Sequence, residues 1–263
     1  MQQKESHKIH GNKYFFLSIF FLFLFFPFIV FASTDSDGDG ISDEKEILYG
    51  THIFTADTDG DGFSDLEEIK NGFSPLAKDQ EKSPVVDTDG DGLYDFLEIW
   101  FGTRVDTQDS DADGFADYDE VMFGFSPTSS LPTKLSRKVE VNLTRQEMSY
   151  MVEGMGVHVF PVSTGNPVTP TPVGEFSIQR RVPVMRYTGR GYDYPGVKWN
   201  MQFFPRYYLH TAYWHNDFGK RTRSHGCVNM REKDAAILYK YSEVGMQVSI
   251  IGKTPKNLFV AKN

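Results

Sequence analysis

The residues best suited to chemistry surround the only cysteine of the sequence, in the segment Ser224-His225-Gly226-Cys227-Val228-Asn229. A thiol becomes a nucleophile when a neighbouring base or positive charge favours its thiolate form. His225 is two residues away, whereas His210 ends a predicted strand and is the better candidate for an imidazole facing Cys227. Gly226 lets the backbone bend so that amide N–H groups near the thiol face a developing oxyanion. These features predict a nucleophilic cysteine in surroundings made electropositive by Lys220, Arg221, Arg223 and Arg231.

The same side chains allow two other interpretations. Imidazole and thiolate groups are common zinc ligands, so a zinc site is conceivable at His210, His215, His225 and Cys227. A lone cysteine is also often a small buried apolar residue. In an oxidising compartment, however, a single thiol that has no disulfide partner in its own chain is a chemical liability. This favours a reactive role for Cys227.

The first half of the chain carries a different chemistry, in four twelve-residue segments that align without gaps from Asp35, Asp57, Asp87 and Asp109. Each has acidic residues at positions 1, 3, 5, 9 and 12 and glycine at position 6, the pattern of EF-hand-type calcium loops. Calcium takes about six to eight oxygen ligands, and the last glutamate can contribute both of its oxygens. The pattern predicts structural Ca²⁺ held by Asp35, Asp37, Asp39, Asp43, Glu46, Asp57, Asp59, Asp61, Asp65, Glu68, Asp87, Asp89, Asp91, Asp95, Glu98, Asp109, Asp111, Asp113, Asp117 and Glu120.

Charge divides the chain at the same place. There are 26 acidic and 5 basic residues between Asp35 and Glu120, but 9 acidic and 19 basic residues between Lys134 and Asn263. Without cations the acidic segment repels itself, so calcium is expected to supply much of its folding free energy. The alternative is a solvated acidic spacer that binds no metal. A short apolar stretch ending in glycine follows each loop and predicts one or two helical turns.

The N-terminal segment has the pattern of a signal peptide. Lys4, Lys8 and Lys13 precede an apolar run over 14–31, and Ala32 then offers a small residue for cleavage. A retained membrane anchor is the alternative, although the run is short for a bilayer span. Either interpretation places the rest of the chain outside the cytoplasm, in the periplasm or the cell wall.

The second half must position the thiol on a mostly β framework. Alternating apolar residues from Val139 to Leu143 predict a first strand, and further strands are predicted over 148–152, 157–162, 175–181, 207–210 and 247–251. One helix is predicted from Asp234 to Tyr241. The expected organisation is a signal peptide or anchor at 1–32, four calcium repeats at 33–127, a linker at 128–137, a catalytic domain at 138–253 and a tail at 254–263.

The segment from Leu209 to Met230, LHTAYWHNDFGKRTRSHGCVNM, resembles the signature of the L,D-transpeptidase catalytic domain. Val162-Ser163-Thr164-Gly165 and the stretch from Thr169 to Phe176 are similar to a second conserved stretch of that family. The resemblance extends over about 138–251 and implies a β-sandwich and acyl transfer through a thioester. The acidic repeats resemble bacterial thrombospondin type-3 repeats and, less closely, dockerin modules.

By this resemblance Cys227 attacks the carbonyl of the third residue of a peptidoglycan tetrapeptide stem, and the terminal D-Ala leaves. His210 is then the proton donor and acceptor, and Thr211 orients it through its backbone carbonyl. A carbapenem is expected to acylate the thiol. The resemblance places the other catalytic positions at Ser224, His225 and Gly226, and we expect substrate contacts from Asn229, from the aromatic insert Tyr213 and Trp214, and from Arg223.

The sequence thus predicts an exported peptidoglycan L,D-transpeptidase that transfers a stem peptide to a wall amine or an envelope protein, with calcium in the repeats and no cofactor for catalysis. One alternative uses water as the acceptor and is an L,D-carboxypeptidase or peptidase. Another is a calcium-dependent surface adhesion protein with an inactive catalytic half. Export favours an anionic wall polymer over nucleic acid as the partner of the basic half, and membrane contact is expected only through an uncleaved N-terminal segment.

Overall fold

The computed structural model describes residues 33–78, 83, 85–189 and 191–256. The predicted signal peptide at 1–32 and residues 257–263 of the predicted tail lie outside the described residues. Within the described ranges, no helix has the length and apolar character needed to cross a bilayer.

Each acidic loop leads into a helix of two turns, as the sequence predicts. The helices are α1 (Asp43–Tyr49), α2 (Asp65–Asn71), α3 (Asp95–Phe101) and α4 (Asp117–Phe123). Each begins at the acidic residue in loop position 9 and ends at a glycine in the left-handed region, such as Gly50 with φ of 82°. Glycine adopts this conformation without a Cβ penalty, so the helix ends there and its last carbonyl groups are capped.

The four loops are joined in two pairs. In the first pair, Asp39 Oδ2 accepts a hydrogen bond of 3.2 Å from the Leu66 N–H at the start of α2. In the second pair, Asp91 Oδ2 accepts the equivalent bond of 2.9 Å from the Tyr118 N–H of α4. In both pairs the donor follows the acceptor at the same distance along the chain, as expected if a two-loop unit has been duplicated.

The second half is a two-sheet β structure with one helix, which confirms the predicted mostly β class. The strands are β1 (Arg137–Asn142), β2 (Glu147–Val152), β3 (Met155–Pro161), β4 (Gly174–Ser177), β5 (Arg180–Gly189), β6 (Tyr192–Phe204), β7 (Tyr207–Thr211), β8 (Val228–Met230) and β9 (Gln247–Ile251). One sheet has the order β3-β2-β1-β9-β4 and the other the order β5-β6-β7-β8. Helix α5 covers Glu232–Tyr241.

Alternation of side chains along the strands builds the core between the sheets. Val139 and Val141 are fully buried, and so are Leu209 and Val228 from the other sheet. All three residues of β8 are buried, because this short strand pairs with β7 on one side and with the Ser163 segment on the other. Buried backbone that is bonded on both sides gives the residues next to it a fixed position.

The structure differs from the sequence prediction in two places. The strand predicted over 175–181 is divided between β4 and β5, which belong to different sheets. The chain crosses between them at Ile178, which is fully buried and whose N–H donates to Met246 O at 2.9 Å. The long β5–β6 hairpin was not predicted, because its glycines and prolines resemble loop sequence.

The last repeat packs directly on the β domain. The largely buried side chain of Arg137 donates from Nη1 to Met122 O at 3.1 Å and to Tyr241 O at 2.7 Å, joining the end of α4 to the end of α5. Lys240 Nζ donates to Asp119 Oδ1 at 2.8 Å. The predicted linker folds back on α4 as well, since the Leu135 N–H donates to Gly124 O at 2.9 Å.

Replacing Arg137 by methionine is expected to destabilise this junction by about 2–4 kcal/mol, because two buried carbonyl groups lose a charged donor. For a protein of this size the midpoint of thermal unfolding falls by roughly 5–15 °C. The matched control is Arg145→Met, since Arg145 is 55% exposed and pairs with Glu147 on the surface. Equal midpoints for the two variants would show that Arg137 does not hold the junction.

Candidate active site

Two adjacent parallel strands bring Cys227 and His210 together. In the β7–β8 pair, Leu209 is opposite Val228 and His210 is opposite Asn229. Cys227 immediately precedes β8, so it lies next to Tyr208 in this register. Residues in register on parallel strands face the same side, which places the thiol and the imidazole on the face opposite to the core side chain of Leu209.

The backbone around the thiol is fixed by its own short turn. The Gly226 N–H donates to Ser224 Oγ at 3.0 Å, and Ser224 Oγ donates to Cys227 O. Gly226 has φ of 113°, and a Cβ there would collide with the Tyr207 ring. Glycine is therefore required at this position for both conformation and space.

His210 is buried, with 3% of its surface exposed. Its Nδ1 lies 2.8 Å from Thr211 O, and because a carbonyl only accepts, the neutral ring carries its proton on Nδ1. The Tyr187 ring stacks on the imidazole with centroids 4.7 Å apart. Burial lowers the pKa of His210 to about 4. At neutral pH the imidazole is thus uncharged, with the Nε2 lone pair available for a proton.

The Cys227 thiol is not activated in the way the sequence suggested. Burial raises its pKa to about 11, and a backbone hydrogen bond from Tyr208 opposes this only partly. The nearby basic residues are not among the causes of this shift, and Arg223 itself pairs with Asp217 at 2.6 Å. Cys227 Sγ lies 3.9 Å from Arg206 O, and within the described residues no hydrogen bond joins it to His210. The resting pair is a neutral thiol and a neutral imidazole.

Aromatic side chains form the walls of the cleft above Cys227. Tyr187, Tyr192 and Tyr194 come from the β5–β6 hairpin, which the sequence analysis missed. Tyr194 stacks flat on Trp214, with centroids 3.9 Å apart and planes 6° apart, and Tyr192 stacks on His225 at 5.4 Å. The alternation of tyrosines at 192 and 194 was the available signal, since alternate residues of a strand share a face. The rest of the lining consists of His210, Arg223, Ser224, Cys227 and Asn229.

Each acidic loop brings its first three aspartates together. The carboxylates of Asp35, Asp37 and Asp39 place one oxygen each within 4.8 Å of the others, and the corresponding groups are Asp57, Asp59, Asp61; Asp87, Asp89, Asp91; and Asp109, Asp111, Asp113. Backbone N–H groups hold them in place, as when the Gly38 N–H donates to Asp35 Oδ1 at 2.8 Å. In the part of the chain described, no other set of three or more histidine, cysteine or acidic side chains converges, so the zinc site considered for His210, His215, His225 and Cys227 is not formed.

The glutamate at position 12 of each loop is buried beside its aspartates. Glu46 and Glu98 have no exposed surface, and Glu68 and Glu120 have 1% and 7%. At least one carboxylate oxygen of each has no hydrogen-bond partner among the described residues. Burial, and then repulsion by the neighbouring aspartates, raises the pKa to about 7 for Glu46, Glu68 and Glu120 and to about 8 for Glu98. Such oxygens fit a hard cation.

The aspartates at position 9, predicted as ligands, do not join these groups. Each is the first residue of its helix, and its carboxylate accepts from the N–H and the hydroxyl of the residue at position 2. For Asp43 both bonds come from Ser36 and measure 2.8 Å. Both carboxylate oxygens thus accept hydrogen bonds within the loop, and a ligand role for Asp43, Asp65, Asp95 and Asp117 stays a prediction.

Comparison with known proteins agrees with both halves of this description. Residues 136–250 match the YkuD family, described as the L,D-transpeptidase catalytic domain. This match covers most of the β domain and less than half of the chain. Residues 35–51 and 57–72 match the bacterial TSP3 repeat. No curated protein matches the chain significantly.

Three solved structures that are similar to this chain are described as L,D-transpeptidases. One from Mycobacterium smegmatis has 24% identity and a TM-score of 0.43, over 46% of this chain and 60% of that chain. L,D-transpeptidase 3 from Mycobacterium tuberculosis with a faropenem-derived adduct has 22% identity and a TM-score of 0.42, over 46% of this chain and 64% of that chain. A variant of the Enterococcus faecium L,D-transpeptidase has 26% identity and a TM-score of 0.41, over 47% of this chain and 53% of that chain. The chain therefore spans between half and two thirds of these structures.

A layer of the β domain below the cleft supports the segment that carries Cys227. Ser163 and Asn229 exchange backbone hydrogen bonds of 2.9 Å, and the Ser224 N–H donates to Thr164 O at 3.1 Å. The buried Gln146 holds this layer, since its Oε1 accepts from the Thr164 N–H at 2.9 Å and its Nε2 donates to Thr164 Oγ1 at 2.7 Å. Gln146 lies in the turn between β1 and β2, and sequence reasoning did not single it out.

The Asn229 side chain, expected in the pocket, also orients His215. His215 Nδ1 accepts from the Asp217 N–H at 3.2 Å, so the neutral ring carries its proton on Nε2, which lies 3.0 Å from the Asn229 amide. The amide oxygen must therefore face Nε2, and this orientation gives Oδ1, otherwise without a partner, a donor.

Thr211 and Tyr213 are two further residues that the sequence singled out. Thr211 orients His210 through its carbonyl, while its own buried Oγ1 has no partner among the described residues. Tyr213 was predicted to contact substrate, but it is 54% exposed and is absent from the cleft lining. Its hydroxyl donates to Pro195 O at 2.9 Å, so Tyr213 braces the β5–β6 hairpin, and its contact with substrate stays a prediction.

Proposed function

We propose that this chain is a peptidoglycan L,D-transpeptidase in which Cys227 takes an acyl group from a tetrapeptide stem and passes it to an amine. The observation that carries the proposal is the placement of Cys227 and His210 on adjacent parallel strands. The His210 Nδ1 is bound to Thr211 O, so the Nε2 of the same ring points away from this carbonyl. A fixed tautomer with one available lone pair is what a general base requires. The match of residues 136–250 to the L,D-transpeptidase catalytic domain supports the assignment.

In the first half-reaction, Sγ attacks the carbonyl carbon of the third stem residue while its proton passes to His210 Nε2. The Cys227 N–H donates to no described group, whereas the Gly226 N–H is occupied by Ser224 Oγ. The Cys227 N–H is therefore the donor we assign to the developing oxyanion. When the tetrahedral intermediate collapses, the C–N bond breaks, the proton on Nε2 goes to the departing D-Ala amine, and a thioester remains.

In the second half-reaction an acceptor amine attacks the thioester carbonyl. His210 Nε2 takes one proton from this amine and returns it to the leaving Sγ, so that a new amide bond forms and the thiol is restored. If water attacks instead, the product is a shortened stem and the enzyme is an L,D-carboxypeptidase. Product analysis by mass spectrometry, with a tetrapeptide donor in the presence and absence of an added amine, decides between them. Amide product with the amine present supports the transpeptidase, and shortened peptide alone contradicts it.

The neutral resting pair has a consequence for pH dependence. We expect the rate of Cys227 acylation to be nearly constant between about pH 6 and 9 and to fall below about pH 4, where His210 becomes protonated. Alkylation by iodoacetamide needs the free thiolate, so its rate should rise about tenfold per pH unit until the pH approaches 11. An acylation rate that followed the alkylation profile would show that a preformed thiolate is the nucleophile.

We further propose that the four loops bind Ca²⁺ as structural ions, in a protein exported to the cell envelope. In each loop the ligand set comprises three aspartates, at positions 1, 3 and 5, and the buried glutamate at position 12. Carboxylate oxygens without partners, such as both of Glu46, support the proposal. Calcium supplies the positive charge that these groups otherwise lack, and it holds the loop and the helix start together.

A further inference from the structure

The described lining of the cleft above Cys227 carries positive charge and no negative charge. Its described lining contains four large aromatic rings, several neutral polar groups and one side chain with a permanent charge, Arg223. No acidic side chain is among the described residues that line it. A ligand that fits such a cleft carries negative charge near Arg223.

The guanidinium of Arg223 is held in place but is not fully used. Its Nε donates to Asp217 Oδ2 at 2.6 Å, while its two terminal nitrogens donate to no described group. The side chain remains 46% exposed. The Arg223 backbone N–H donates to Ser163 Oγ at 3.0 Å, so the residue is anchored independently of its side chain.

Asp217 does not cancel the local positive charge. The pKa of this carboxyl is lowered first by the Arg223 hydrogen bond and then by the charges of Arg223 and Arg221. Asp217 is paired only through the Arg223 Nε, so the two terminal nitrogens of this guanidinium stay available beside the cleft. Two parallel N–H groups on the terminal nitrogens of an arginine match the two oxygens of a carboxylate.

Building on the proposed function, we infer that Arg223 binds a carboxylate of the donor stem peptide, with Asp217 as the residue that positions the guanidinium. The carboxylate belongs either to the side chain of the third stem residue or to the terminal D-Ala. The enzyme therefore prefers donors that carry this carboxylate free over donors in which it is an amide.

Binding to the Cys227→Ala protein tests this inference without chemistry. Calorimetry would compare three synthetic tetrapeptides: one with both carboxylates free, one with the third-residue carboxylate amidated, and one with the D-Ala carboxylate amidated. We expect one of the two amidated peptides to bind about 10- to 100-fold more weakly, the loss typical of a charged hydrogen bond. The affected peptide identifies which carboxylate Arg223 binds.

In the Cys227→Ala protein, the additional substitution Arg223→Gln should weaken binding of the peptide with both carboxylates free by the same factor. It should also abolish the difference in affinity between this peptide and the affected amidated peptide. The matched control is Arg221→Gln, which removes the other cation near Asp217 but not a residue of the cleft lining. Discrimination that persists in Arg223→Gln, or equal binding of all three peptides, would overturn the inference, as would failure of the free peptide to bind. Peptides that bind with discrimination but are not turned over by the native protein would instead contradict the proposed transpeptidase activity.

Discussion

Replacing His210 by glutamine is expected to slow acylation of Cys227 by about 10²- to 10⁴-fold, the usual contribution of a general base. A glutamine at this position can still donate to Thr211 O, but it has no lone pair of imidazole basicity for the thiol proton. Because the Cys227 thiol has a pKa of about 11, no preformed thiolate compensates for the loss. Stopped-flow measurement of carbapenem acylation gives the rate directly.

Alkylation by iodoacetamide distinguishes loss of the base from damage to the site. Burial, rather than His210, is the main cause of the raised thiol pKa, so the alkylation rate should change by less than about threefold in His210→Gln. A similar fall in both rates would mean that the substitution has disturbed the cleft. An unchanged acylation rate would show that His210 is not the base.

Removal of calcium should produce the second large effect. Four sites with dissociation constants of about 10⁻⁴ to 10⁻³ M contribute about 6–11 kcal/mol to the free energy of unfolding at about 10 mM Ca²⁺. We expect a chelator to lower the thermal midpoint by more than about 10 °C and to release the acidic repeats first. Magnesium is a suitable control, because it demands a smaller, octahedral site.

The pH dependence of the cation-free protein follows from the four buried glutamates. Their pKa values are raised above the unfolded value, so their contribution to stability is fully present below about pH 4.5. It is lost as the pH rises through about 7 to 8. The cation-free protein should therefore be less stable at pH 8 than at pH 5, and calcium should reverse this order.

A single glutamate variant makes the calcium prediction specific. With chelator present, Glu46→Gln should unfold at a higher temperature than the native protein, because a buried charge without a partner is gone. With calcium present, it should unfold at a lower temperature, because one site has lost its last ligand. Glu44→Gln, at an exposed neighbouring position, should leave both midpoints unchanged. The same order of midpoints with and without calcium would contradict binding at this loop.

The sequence was sufficient for the positions that chemistry restricts to a few residue types. Cys227, His210 and Gly226 belong to a compact motif, and the placement of Cys227 relative to His210 follows from the register of two adjacent strands. Loop periodicity likewise predicted the aspartate groups and the buried glutamates. Helix and strand signals were readable wherever apolar residues alternate, as in β1.

What the sequence did not provide depends on burial and on packing between distant segments. The thiol pKa follows from how deeply Cys227 lies, which neighbouring arginines in the sequence do not indicate. The hydrogen bonds from position 2 to the aspartate at position 9, as from Ser36 to Asp43, are likewise not visible in the sequence pattern. The tyrosine walls depend on a hairpin rich in glycine and proline, and the contact of Arg137 with α4 and α5 joins residues far apart in the chain.

The central claim is that Cys227 is an acyl-accepting nucleophile. Intact-mass spectrometry of the calcium-loaded protein after incubation with a carbapenem tests it most directly, with Cys227→Ala as the control. We predict a mass increase of one carbapenem on the native protein and none on the variant. An unmodified native protein that is folded and calcium-loaded, or an adduct that persists in Cys227→Ala, would contradict the account.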